Sequence, residues 1–213
     1  NLWTDGEQGE RVQVVQCDTD RSEARYVVDT LKRMRAQGLD LSEAAVLYRT
    51  NAQSRVFEEE LQRSAMPYVI VGGIRFYERK EVKDFLAYLR LLVNPSDDVS
   101  MLRVVNVPRR GIGTTSLQHL QAHARQAGTT LFASLADLDN VAHLGARAVK
   151  PLRAFYELIV ELTERQNQME LPALAEETLN LSGYRQMLRD EGTPEAEVRE
   201  QNLDQLLAFI AEF

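Results

Sequence analysis

Two glycines flanking an isoleucine, with arginines before them and hydroxyl residues after, are the part of this 213-residue chain best suited to meet a charged ligand. The stretch reads Pro108-Arg109-Arg110-Gly111-Ile112-Gly113-Thr114-Thr115-Ser116. Glycine lets a backbone come close to a ligand, and the N–H groups at a helix start attract phosphate. Ile112 can anchor the turn in a core, Arg109 and Arg110 add positive charge, and Thr114, Thr115 and Ser116 can cap the helix that follows. A helix-hairpin-helix turn grips a nucleic-acid backbone in this way, without reading bases. The same residues also suit an ordinary capped turn, and the tripeptide alone leaves both readings open.

Two further groups could bind phosphate. Arg79, Lys83 and Arg90 fall at i, i+4 and i+11 of a helical pattern, a row of cations along the flank of its apolar stripe. The row can follow phosphates. Equally, it can be a solvated face whose cations pair with Glu78, Glu81 and Asp84, and exposed pairs of that kind are worth little. The stretch Tyr48-Arg49-Thr50-Asn51-Ala52-Gln53-Ser54-Arg55 leads from an apolar run into a helix, the position at which open α/β sheets bind ligands. Asn51 suits an N-cap. Arg49 and Gln53 have no comparable structural duty in the pattern.

Catalytic signatures are missing. The sequence holds no G-x-x-x-x-G-K-[ST], no G-x-S-x-G, no His-Asp-Ser order and no G-x-G-x-x-G. Nothing in it activates a nucleophile unaided, so no residue is a catalytic candidate and standalone catalysis is not expected. His119 and His123 lie four residues apart but outside a His-Glu-x-x-His setting, and they read as an ordinary exposed face. The single cysteine, Cys17, excludes an internal disulfide and a cysteine-based zinc site, which fits a reducing compartment. No metal or cofactor ligand is expected in the chain.

The elements that must position these groups change character part-way. Residues 12–16 alternate like a strand, 21–37 carry a helical stripe ended by Gly38, 44–48 are a short apolar run, 52–64 are helical, and 68–71 are another apolar run. This strand–helix alternation predicts part of a parallel sheet, too few strands to complete one. After Gly72-Gly73 only helical patterns occur: residues 78–93, 97–105, 114–127, 131–138, 144–168, 171–182 and 195–213. The expected class is α/β followed by all-α. That is an incomplete parallel-sheet portion, residues 1–71, followed by a mainly helical part, residues 72–213, that contains a helix-hairpin-helix-like turn. No apolar stretch reaches the roughly 18 to 20 residues of a membrane span, and the opening residues do not resemble a signal peptide. An excised, cytoplasmic piece of a longer intracellular protein is expected.

Charge distribution favours the phosphate readings. The net charge of -7 argues against nucleic acid when taken whole. Residues 1–71 are net -3, residues 72–128 net +4 and residues 129–213 net -8, so the glycine turn and the cation row share a basic island.

Three ordered blocks resemble the UvrD/PcrA/Rep superfamily 1 DNA helicases. They are Tyr48 through Arg55, then Gly72-Gly73-Ile74-Arg75-Phe76-Tyr77-Glu78-Arg79-Lys80-Glu81-Val82-Lys83-Asp84, then Val105-Asn106-Val107-Pro108-Arg109-Arg110-Gly111-Ile112-Gly113. Leu2-Trp3-Thr4-Asp5 and Ser182-Gly183-Tyr184 also fit, so the resemblance spans the chain. It implies a 3′-to-5′ motor of two RecA-like domains, each with an inserted helical subdomain. Residues 1–71 would begin the second motor domain, 2A, and residues 72–213 would be most of its insertion, 2B. The ATP and magnesium sites would lie in the rest of the parent protein. By the same resemblance Arg49, Asn51 and Arg75 hold single-stranded DNA. Lys83, Arg90, Arg110, Gly111, Ile112, Gly113, Thr114 and Ser116 contact duplex DNA at a junction. Repair or replication proteins are the other expected partners, and a membrane is not one. Two rivals remain: an acidic, helical docking or autoinhibitory module, and a piece of a nuclease-fused relative.

Overall fold

The computed structural model describes residues 9, 11–71 and 74–212. Leu2-Trp3-Thr4-Asp5, Gly72-Gly73 and the side chain of Asn51 lie outside the described part. The chain divides into two compact units, residues 1–71 and 72–213.

The first unit is built on two helices, α1 (Asp20–Ala36) and α2 (Ser54–Arg63). A reciprocal cap starts α1: the Thr19 hydroxyl accepts from Ser22 N–H, and the Ser22 hydroxyl accepts from Thr19 N–H. The helices meet through two small apolar clusters, Ala24 with Val56 and Phe57, and Val28 with Leu61 and Met66. Around them run extended segments. From residue 44 to 49 and from 66 to 71, half-buried or buried residues alternate with exposed ones, the period of a strand. Val46 and Tyr68 pack onto the helix pair. Leu47, Val69 and Val71 stand 86–94% exposed, and Val12 and Val14 stand 93% and 94% exposed. No strand occurs among the described residues. The alternation that predicted strands is present, but a ladder needs a neighbouring strand to donate and accept its hydrogen bonds.

The second unit is helical among its described residues: α3 (Lys80–Val93), α4 (Asp98–Val104), α5 (Thr114–Ala127), α6 (Leu131–Leu135), α7 (Ala146–Gln166), α8 (Leu171–Leu181), α9 (Tyr184–Glu191) and α10 (Pro194–Ile210). One continuous core runs from Phe76 to Ile210. Helix α3 lies at its centre, with Val82, Phe85, Tyr88 and Leu91 fully buried, and it packs against α4, α7, α8 and α10. Helix α7 contributes Leu152, Phe155, Ile159 and Leu162, spaced three or four residues apart on one face. Helix α6 is shorter than its pattern suggests and gives way to a 3-10 turn at Leu138–Asn140. Helix α9 has no counterpart in the periodicity. It is eight residues long, bounded by left-handed Gly183 and Gly192, and its buried face includes Arg185, so no apolar stripe announces it. No helix among the described residues is long and apolar enough to cross a membrane.

Candidate nucleic-acid interface

The glycine turn joins α4 to α5, and the protein holds it from two sides. Asn106 clasps it from within. Its Oδ1 accepts from the N–H of Arg110 at 2.8 Å and of Ile112 at 3.3 Å, while its Nδ2 donates to the Ile112 carbonyl at 3.0 Å. Ile112 is 3% exposed and seats the turn in the core, as its apolar side chain suggests. Gly111 has φ +77°, a left-handed value that glycine adopts at little cost. Gly113 differs. Its backbone is extended, at φ -79° and ψ 155°, and an added Cβ would meet no atom within 4 Å. Nothing among the described residues demands glycine there, and the missing Cβ leaves room for a ligand to come close.

Beyond Gly113, α5 opens without a side-chain cap. Leu117 N–H is the first to bond back, to the Gly113 carbonyl at 3.2 Å. The N–H groups of Gly113, Thr114, Thr115 and Ser116 therefore find no acceptor among the described residues. They form a cluster of donors at the positive end of the helix dipole. The hydroxyls of Thr114, Thr115 and Ser116 are not spent on capping, which leaves them on the same rim.

Arg110 is corrected by its surroundings. Its guanidinium donates to the carbonyls of Val104, Val105, Pro108 and Ser182 and to the Tyr88 hydroxyl, at 2.7–3.3 Å, and it lies over the Phe155 ring. Both terminal nitrogens are committed to the protein, so its side chain braces the turn and is not offered to phosphate. Arg109, the other arginine, is exposed and has no partner among the described residues. Ile112 is likewise turned inward: its side chain is buried and both its N–H and its carbonyl bond to Asn106.

The cation row divides in the same way. Arg79 is 8% exposed, donates to Asn202 Oδ1 at 2.7 Å and to the Ile74 carbonyl, and sits over the Phe76 ring. It is a strut between α3 and α10. Lys83 and Arg90 are exposed on α3, seven residues apart on one face, and neither is ion-paired among the described residues. Of the three carboxylates expected to neutralise them, Glu78 is exposed, while Glu81 and Asp84 face inward. Glu81 accepts from Asn202 at 2.6 Å, and Asp84 accepts from Tyr184 at 3.0 Å and pairs with Arg103 at 2.8 Å. Burial, reinforced by the Asp84 charge, pushes the Tyr184 hydroxyl far above its ordinary pKa, so it stays a donor. Burial also raises Tyr88, against the opposing charge of Arg110.

In the first unit Arg49 is exposed, and Gln53 proves structural. Its Oε1 accepts from the N–H groups of Arg49 and Thr50, both at 3.0 Å, and ties the bend before α2. Asn51 begins a 3-10 turn, Asn51–Gln53, and Gln53 occupies the cap position of α2. Arg75, exposed, stands at the cap of the 3-10 turn Phe76–Glu78.

A family model described as the UvrD-like helicase C-terminal domain matches residues 1–213. The chain belongs to this family. Over 212 residues it is 42% identical to the ATP-dependent DNA helicase PcrA of Staphylococcus epidermidis and 40% identical to the PcrA of Staphylococcus aureus. Each alignment covers 100% of the chain and 29% of the relative, so the chain spans under a third of these proteins' length. Within this UvrD-like chain the motifs divide by task. Glu81, Asp84, Arg110 and the Ser182-Gly183-Tyr184 stretch converge on one buried polar network that joins α3, the glycine turn, α9 and α10. The outward remainder is Lys83, Arg90, Arg109 and the first turn of α5. Sequence reasoning missed Asn106. Its one available signal was an amide side chain four residues before Arg110 within a quoted motif.

Proposed function

We infer that this chain is the DNA-gripping portion of an ATP-dependent 3′-to-5′ DNA helicase acting in DNA repair or replication. Residues 1–71 begin its second RecA-like motor domain, and their extended, unpaired segments take their places in a parallel sheet with strands from the rest of that domain. Residues 72–213 are its inserted 2B subdomain. Arg49, Asn51 and Arg75 hold the single strand. Lys83 and Arg90, with the donors from Gly113 to Ser116, hold the duplex backbone ahead of it.

One observation carries the reading. Four adjacent backbone donors, from Gly113 to Ser116, find no acceptor among the described residues and begin at a glycine whose Cβ would meet no neighbour, in the segment of the chain with net positive charge. Donors and cations so placed suit phosphates, and phosphate contact positions a protein without specifying sequence. ATP chemistry is assigned to no residue here, because the sequence has no phosphate-cradling loop with its lysine. ATP and magnesium belong to the remainder of the protein. Docking by the acidic segment is the second reading: residues 129–213 keep a net charge of -8, and only part of their charge is paired internally. Arg185 pairs with Glu176, Glu200 and Asp204, Arg165 with Glu161 and Glu177, and Arg199 with Glu191.

The test is junction-DNA affinity of the complete protein across a salt titration. Removing one phosphate-contacting cation lowers the slope of log K against log salt by about 1. Lys83→Ala and Arg90→Ala are each expected to do so, with single-strand affinity preserved. A slope and affinity unchanged in both variants overturns the duplex assignment.

A further inference from the structure

Asn106 is the residue that a phosphate-gripping turn here would most need, although it presents nothing to a ligand. Of the six N–H groups from Arg110 N–H to Ser116 N–H other than that of Gly111, two point inward, and both end on one atom, Asn106 Oδ1. The other four, from Gly113 to Ser116, find no acceptor among the described residues. The side chain thus sorts the donors: it takes up those of Arg110 and Ile112 and leaves a consecutive set facing out. Its Nδ2, bonded to the Ile112 carbonyl, fixes the peptide that immediately precedes Gly113. Only a carboxamide can do both, because it carries an acceptor and a donor on one rigid plane. Aspartate would set a carboxylate oxygen against the Ile112 carbonyl, and leucine or alanine would leave two N–H groups and a carbonyl without partners.

The clasp is braced from behind. Arg110, whose own N–H is held by Asn106, plants its guanidinium on the carbonyls of Val104 and Val105 just before Asn106 and on Ser182 across the core. The turn is therefore tied both locally and to the end of α8, and its outward donors are set before any ligand arrives.

We propose that Asn106 is a positioning residue for duplex binding, holding the turn so that the N–H groups of Gly113 to Ser116 meet a phosphate together. The proposal rests on the phosphate reading of the turn. It makes a signature that loss of a cation does not. Backbone donors release no counterions of their own, so disrupting their alignment weakens binding without changing the salt slope.

The experiment compares Asn106→Ala with Gly113→Val in the complete protein, using a junction duplex and a single strand of the same length. Hydrogen exchange of the peptide spanning residues 105–117 and thermal unfolding are followed in parallel. For Asn106→Ala the expected result is faster exchange in that peptide and duplex affinity about tenfold weaker. The salt slope and single-strand affinity stay near wild type, and the melting temperature falls by only a few degrees, about what the three lost hydrogen bonds cost. Duplex affinity unchanged despite faster exchange overturns the proposal, and so does a loss shared equally by single-strand binding and melting temperature. Should Asn106→Ala fail to accumulate, Asn106→Asp keeps both accepted bonds and loses only the donated one. It is expected to weaken duplex binding as well, and unchanged affinity there overturns the proposal. Gly113→Val separates the two ideas. If it weakens duplex binding while Asn106→Ala does not, the clasp alone fails, and if it too has no effect, the phosphate reading of the turn fails with it.

Discussion

The two units of this chain use similar helices to different ends. Residues 74–212 enclose a core in which a dozen large side chains, Tyr88, Tyr184, Phe85 and Phe155 among them, are essentially inaccessible. Residues 11–71 rest on two clusters of three buried residues, and they leave Val12, Val14, Leu47, Val69 and Val71 open to solvent. A helix satisfies its backbone internally and needs company only for one face. A strand needs company for its backbone as well, so a segment with strand-like alternation but no neighbour stays exposed. The difference is that one unit closes a core of its own, while the other leaves apolar, strand-like segments open to solvent among its described residues.

The most drastic way to break this contrast is dissection. Residues 72–213 expressed alone are expected to unfold in a single cooperative transition with native near-ultraviolet circular dichroism. Residues 1–71 alone are expected to show no cooperative transition. Equal behaviour in urea titrations of the two pieces removes the distinction.

Within the helical unit, Arg110→Ala is next in size. It strips partners from buried carbonyls and from the Tyr88 hydroxyl, and it should cost about 2–4 kcal/mol of unfolding free energy. A loss confined to DNA affinity, with chemical stability intact, would mean that Arg110 turns outward after all.

The glycines give a finer contrast. Gly111→Ala forces a left-handed backbone on a Cβ and should cost about 1 kcal/mol. Gly113→Ala meets neither strain nor crowding, so stability should hold within about 0.5 kcal/mol while duplex affinity drops several-fold. Denaturant midpoints beside junction affinities distinguish the two, and a destabilised Gly113→Ala would remove the argument that only a ligand needs that glycine.

The smallest effect is a pH dependence at the start of α4. Hydrogen bonds from the Ser100 hydroxyl and N–H hold the Asp97 carboxyl below its ordinary range. A carboxyl lowered in the folded state adds stability above its unfolded pKa, and that contribution disappears as pH falls through the lowered value. Asp97→Asn should therefore soften the acid limb of the stability profile slightly, and an acid limb identical to wild type would refute the cap.

Much of the helical architecture was legible because periodicity survives in the sequence. The expected helix at residues 114–127 coincides with α5, and most of the others differ only at their ends. Helix α9 escaped because its buried face mixes Tyr184 and Leu188 with Arg185. The candidate site was legible as a neighbourhood and less so as a set of contacts. Cations at helical spacing reveal which face a residue occupies, but not whether a partner from distant sequence waits there. Arg79 meets Asn202 and Arg110 meets Ser182, 123 and 72 residues away. Asn106 went unnoticed because a lone amide has no periodicity to betray it.

The sequence by itself determined which segments are helical, where the chain changes from mixed to helical pattern, that a glycine turn opens α5 within a basic island, and the family resemblance. These follow from local propensity, charge and ordered motifs. Only the tertiary structure decided which charged motif residues face solvent and which are spent inside. It sent Arg79, Glu81, Asp84 and Arg110 inward and left Lys83, Arg90 and Arg109 outside. The physical reason is that a buried charge is tolerable only where precise partners meet it, and those partners come from helices far along the chain. The glycine turn accordingly owes its open donors and the Asn106 clasp to residues nearby, and its further bracing to Tyr88 and Ser182, which folding alone brings to it.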